Sequence, residues 1–266
     1  IKRLLIMDFK RSLSSKKFLI VIAIGILLST IQIYMEVIPW LKYHESGASY
    51  FNPFVNWISN DGYNTCANLF YLLFPVLASL SYSDSYWLDK SSGFYKGIYT
   101  RTRKKNYFIS KYVTNFTIGG VAVTLPLILN FYILLMLIPA VKPSVFDIGA
   151  LPKDMFPGLY YFHPYLFVFA YIVLAFIFGG TFASIGLAVS TYCKNRLLVV
   201  TTPVLVYISM FIFELADLPY LVPAKFLMAG QRTHPRNIIS VMVIFFILFI
   251  GSMSLYAKGA SKDEGI

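Results

Sequence analysis

The chain has 266 residues, of which 58% are hydrophobic and only 13% charged, with a formal net charge of +11. Charged residues are about half as frequent as in a soluble domain, and a water-exposed fold this apolar would carry sticky patches larger than ordinary monomers tolerate. That excludes a soluble globular domain and leaves a membrane protein, while two cysteines, Cys66 and Cys193, supply neither a disulfide framework nor, unaided, a zinc site.

In chain order, residues 1–17 come first. Leu5, Ile6, Phe9 and Leu13 recur near a 3.6-residue period, with Arg3, Lys10, Arg11, Ser14 and Lys17 on the other side. The pattern predicts an amphipathic helix lying in the membrane interface, its basic side toward anionic headgroups. No short apolar core followed by a small-residue cleavage site is present, so a removable signal peptide is not expected. Six stretches then meet the requirement of about 20 apolar residues for a spanning helix. They are residues 18–38, 66–83, 112–138, 165–190, 197–213 and 238–257. The predicted fold is an all-α membrane protein with six transmembrane helices, forming a single transmembrane domain over 1–266.

Lys and Arg fall outside all six stretches, and most of the 23 lie in four segments. These are the N-terminus, the 84–111 connection, the TYCKNR turn between spans four and five, and the C-terminus. The positive-inside rule puts those segments, with both termini, in the cytoplasm. The expected location is therefore the cell (cytoplasmic) membrane, crossed several times. Cys66 and Cys193 then fall near opposite faces.

The 84–111 connection is too polar to insert and too long for a simple turn. Gly93 and Gly97 can end short helices, and Tyr86, Trp87, Phe94, Tyr95, Ile98 and Tyr99 alternate with polar residues. The mixture fits a short helix that docks a cytoplasmic partner. It fits equally a positive anchor that binds nothing. Nucleic acid is not expected, because no folded basic domain could present the charge to a duplex.

Polar residues within the spans are few: Gln32, Glu36, Asn68, Asn115, Asn130 and several Ser and Thr. Asn115 and Asn130 are expected to hydrogen-bond between helices. No buried chain of Asp, Glu, His and Lys is expected, which weighs against an ion-driven pump. Two rows of small residues in the fourth span, Ala175–Gly179–Ala183 and Gly180–Ser184–Ala188, predict close helix packing. Pro75, Pro126 and Pro203 mark possible kinks. Residues 214–237 are semi-apolar and broken by prolines, as in re-entrant or interfacial half-helices. His44, His163 and His234 all fall in loops, and no H-E-x-x-H, G-x-S-x-G or G-x-x-x-x-G-K-[ST] motif occurs. No enzyme is expected: no catalytic, cofactor-binding or metal-binding residues are assigned.

The order of parts resembles the membrane subunit (permease) of bacterial ABC exporters of the ABC-2 type: a basic interfacial helix, six spans, a cytoplasmic connection after span two, and a semi-apolar segment after span five. The family often shows an acidic residue after span two, then a glycine, a Pro-x-x-[RK] turn, and a lysine opening span three. Asp89, Gly93, Arg103 or Lys104, and Lys111 match this pattern, and Arg101 stands about where the proline would. The resemblance implies a coupling helix within 84–111 that docks a separate ABC ATPase through Trp87, Asp89, Lys90, Gly93, Phe94, Tyr95, Lys96 and Arg101. It implies ATP and Mg in that partner and none in this chain, and a second permease, identical or a sister subunit, completing the pathway. Arg3, Lys10, Arg11, Arg103, Lys104 and Lys105 would anchor the chain at the lipid surface. Gln32, Asn68, Thr201 and Thr202 are the pathway candidates, and an amphipathic peptide, drug or lipid-like compound the expected cargo. The alternatives are an ion-coupled secondary transporter and a non-transporting membrane immunity or scaffold protein.

Overall fold

The computed structural model describes residues 1–41, 52–60, 65–143, 155–193, 195–230 and 237–262. His44 and His234 lie outside the described residues, as do residues 231–236 of the 214–237 segment. Among the described residues every regular element is helical. Six helices are long and apolar enough to cross a membrane: Lys16–Leu41, Thr65–Ser91, Lys104–Leu137, Pro164–Ser190, Arg196–Leu215 and Ile238–Ser261. The chain is a multi-pass membrane protein.

The N-terminal helix α1 (Lys2–Leu13) turns inward Leu4, Asp8 and Ser12, a row at i, i+4 and i+8. Ile6 and Leu13 remain exposed, so an apolar stripe is left on its outer side. Ser15 caps α2 (Lys16–Gln32) by accepting a hydrogen bond from the Phe18 N–H. The first span continues through a π-helical turn, Ile33–Val37, into α3 (Ile38–Leu41). The second span is α4 (Thr65–Tyr82), followed by α5 (Ser85–Ser91) and α6 (Phe94–Tyr99). Gly93 separates α5 from α6 at φ +71°, a left-handed conformation that side chains resist.

The third span, α7 (Lys104–Leu137), begins well before residue 112, so the basic run KKNYFISK is helical rather than loop. After α8 (Pro157–Phe162) come α9 (Pro164–Ser190) and α10 (Arg196–Ser209). The broken segment holds α11 (Ile212–Leu215), a 3-10 turn at Pro219–Leu221, and α12 (Pro223–Leu227). Val222, Phe226, Leu227 and Met228 are buried there. α13 (Ile238–Lys262) closes the chain.

Helices α4, α7 and α9 form the centre of the bundle, with α2, α10 and α13 packed around them. The tightest crossing is α7 on α9, where glycines meet. A Cβ on Gly180 would lie 2.7 Å from the Phe116 carbonyl oxygen, and one on Gly119 would lie 3.1 Å from the Gly179 carbonyl oxygen. The two small-residue rows of the fourth span thus serve contact with the third. Near the chain termini a second core gathers Leu4, Tyr86, Ile98, Tyr107, Phe108, Tyr256 and Ala260. It places α1, the α5–α6 hairpin, the start of α7 and the end of α13 at one end of the bundle, the terminal end.

Candidate functional site

Polar side chains inside an apolar bundle are costly unless paired. They gather at both ends of this one, and at the terminal end they are charged. Tyr107, Ser110 and Lys111 share one face of α7. Lys111 is fully buried, with its Nζ 2.9 Å from Asp8 Oδ1 and 2.8 Å from Asp89 Oδ2, and both carboxylates are buried as completely. The Tyr82 hydroxyl donates to Asp8 Oδ1 at 3.1 Å and accepts from Lys111 at 3.2 Å. Ser110 donates to Asp8 Oδ2 at 2.8 Å, and Tyr107 to Asp89 Oδ2 at 2.7 Å. Arg11 donates to Asp89 Oδ1 and lies 5.3 Å over the Phe94 ring. The rings of Tyr82 and Tyr107 stand 5.2 and 5.6 Å from the ammonium.

Two carboxylates and two cations balance, and no carboxylate oxygen of the cluster lacks a donor. Burial alone lowers the Arg11 pKa, but the Asp89 carboxylate more than reverses this and holds it above its ordinary value. The cluster joins α1, α4, α5 and α7. A second ionic junction lies beside it: Asp84, at the corner between α4 and α5, takes Lys17 from α2 and Arg196 from α10, the latter at 2.6 Å. Chemically, this is a clamp. Asp89 ties α5 directly to α1 and α7.

These contacts revise several expectations. A buried acid–base cluster exists where none was expected, because acids from α1 and α5 reach a lysine on α7. Asp89 does not present itself to a partner; it faces inward, held by Arg11, Tyr107 and Lys111. Arg11 is part of that cluster and not merely a surface anchor. The other residues assigned to docking lie along the hairpin: Phe94, Lys90, Lys96 and Arg101 are exposed, and Trp87 and Tyr95 are half-buried. Of the remaining anchor residues, Arg3, Lys10, Arg103 and Lys105 are exposed, while Lys104 sits 5.3 Å over the Tyr99 ring.

At the opposite end the buried polar groups among the described residues are neutral, and the Lys225–Glu214 ion pair lies at the surface. Residues 52–60 fold into the bundle as a short irregular segment, with Trp57 and Ile58 fully buried. Non-helical backbone at such a place must have its polar groups met by protein. Asn52 Oδ1 accepts from the N–H groups of Phe54 and Val55. Asn130 on α7 accepts from the Ile58 N–H at 3.1 Å and donates to Ser29 O and to Gln32 Oε1. Gln32 donates to the Asn56 carbonyl at 3.1 Å, and Trp57 Nε1 to the Leu127 carbonyl at 3.1 Å. The hydroxyls of Ser59 and Tyr71 are 2.6 Å apart, and the Ser59 carbonyl accepts from the Gly230 N–H. Gln32 is therefore not on a face that a second subunit could share, because its amide is spent inside the chain. Asn68 and Thr201 are exposed and Thr202 partly so, but both threonine hydroxyls donate back to carbonyls of their own helix, Leu197 and Leu198. Asn115 corrects its expectation: buried on α7, its amide has no partner among the described residues.

The 52–60 segment went unnoticed in the sequence. Its one signal was asparagine at 52, 56 and 60 around a tryptophan. Among the described residues no three His, Cys, Asp or Glu side chains converge where a metal could sit. Comparison with protein-family models, curated proteins and solved structures finds no match to this chain.

Proposed function

We propose that the chain is the membrane subunit of an ATP-binding-cassette exporter of the ABC-2 type. The terminal end would face the cytoplasm, with α1 lying at the interface and α5–α6 acting as the coupling element for a separate ATPase. The observation that supports this reading is the wiring of the hairpin. Phe94 and three cationic side chains lie exposed on or beside α5 and α6, while Asp89 from the same hairpin enters the bundle and engages α1 and α7. An element pushed from below would thus move the N-terminal helix α1 and the third span together. A second permease would cover α2 and α10, which expose Leu19, Leu27, Leu205 and Ile208, and the cargo would be an amphipathic compound. ATP hydrolysis and its Mg would belong to the partner.

Co-purification tests this reading. A P-loop ATPase should accompany the wild-type protein from its native membrane, and the Trp87→Asp/Phe94→Asp variant should lose it while still unfolding cooperatively. Absence of any such ATPase, or retention by the double variant, sinks the proposal.

A second reading draws on the Asp8–Lys111–Asp89 cluster, since buried ionisable groups serve ion-coupled carriers. Here every group is already saturated by short protein contacts and sits at one end of the bundle, as a clamp does and a relay does not. Transport driven by a proton gradient without ATP would reverse that preference.

A further inference from the structure

A cavity of about 200 Å³ opens at the foot of α2, between α1, α2 and the α4–α5 corner. That is many times the space one water requires. Arg11, Lys16 and Lys17 line it, together with Ser85 and the single carboxylate Asp84. Asp84 is already engaged by Lys17 and Arg196, and the Asp89 carboxylate behind Arg11 by Arg11 and Lys111. Lys16 forms no ion pair among the described residues. The positive end of the 17-residue α2 sits at the same wall. The cavity wall therefore carries uncompensated positive charge.

A second, independent feature points to an occupant. Ser85 is 1% exposed, lines the cavity, and its hydroxyl has no hydrogen-bond partner among the described residues. A buried hydroxyl without a partner is costly. An acceptor placed in the cavity would satisfy it.

We propose that this cavity binds a phosphate group, with Lys16 supplying unpaired charge, Arg11 the free donors of its fork, Ser85 a buried donor, and the α2 terminus its dipole. Phosphate chemistry fits because its several oxygens accept from a fork, an ammonium and a hydroxyl at once. Arg11 and Lys17 are partly exposed, at 38% and 27%, so the group enters from the open side of the cavity that they line. The site does not depend on an ATPase being present.

The test uses the full chain in a neutral detergent. Melting temperature is followed during titration with inorganic phosphate, with phosphatidylglycerol, and with diacylglycerol of the same chains, which lacks a phosphate. Stabilisation by phosphatidylglycerol alone supports the site and identifies a lipid headgroup as the source. Stabilisation by inorganic phosphate as well supports it and identifies a free anion. Lys16→Gln should weaken the effective probe by about tenfold, one charge-assisted hydrogen bond's worth. Ser85→Ala should weaken it too, while leaving the ligand-free melting temperature unchanged or raised, because it removes an unsatisfied hydroxyl. Lys258→Gln, at an exposed position on α13 away from the cavity, should leave binding intact. No stabilisation by either phosphate probe, an equal response to diacylglycerol, or equal losses in Lys258→Gln and Lys16→Gln would overturn the proposal.

Discussion

The two ends of the bundle solve one problem with different chemistry. At the terminal end, Lys111 is buried between two carboxylates. At the far end, Asn130, Gln32 and Trp57 stitch a buried irregular segment in place without any charge. A buried ion is strongly destabilising once its partner goes, because the remaining charge has no solvent. A neutral amide loses only its own hydrogen bonds. The ionic end is therefore the end more sensitive to the loss of a single partner. The neutral end tolerates the loss of single contacts, as suits a fixed closure.

Substitutions can break or sharpen that contrast. Lys111→Met should have the largest effect, lowering stability by about 3–5 kcal/mol, since it strands Asp8 and halves the charge partners of Asp89. The triple variant Asp8→Asn/Asp89→Asn/Lys111→Met should regain much of this, and thermal unfolding in detergent measures both. Asn130→Leu should cost less, about 1–3 kcal/mol, through the orphaned Ile58 N–H and Gln32 amide. If it costs as much as Lys111→Met, the two ends do not differ as described. Gly93→Ala should cost about 1–2 kcal/mol by forcing a side chain into a left-handed turn, read as earlier protease cleavage between α5 and α6. Tyr71→Phe, which removes one hydroxyl from the Ser59 contact, should be the mildest at about 1 kcal/mol.

The spans were legible because apolar length is a local property, and five of the six start within two residues of where the sequence put them. The third starts earlier because charge reports depth in the membrane and not where a helix begins: Lys104, Lys105 and Lys111 extend α7 beyond its apolar part. The small residues of α9 were readable as a packing face, but their partners Gly119 and Gly120 were not singled out. Asn130 behaved as an interhelical bonder while Asn115 did not, since the same residue type gives no hint of what faces it. The ionic cluster was hidden for the same reason. Asp8 and Asp89 each look like isolated acids in basic surroundings, and nothing periodic connects either to Lys111. A pairing over such sequence distances exists only once the helices are stacked.

That distance has a consequence for how the protein is made. Asp8 and its partner Ser110 are separated by 102 positions, and Lys111 follows directly after. Two spans are synthesised before the cation that neutralises Asp8 exists, whereas Asp89 emerges with Arg11 already waiting. Burial of α1 with its acid paired therefore has to wait for the third span. A chain halted before residue 110 has Asp8 but neither Ser110 nor Lys111 to partner it.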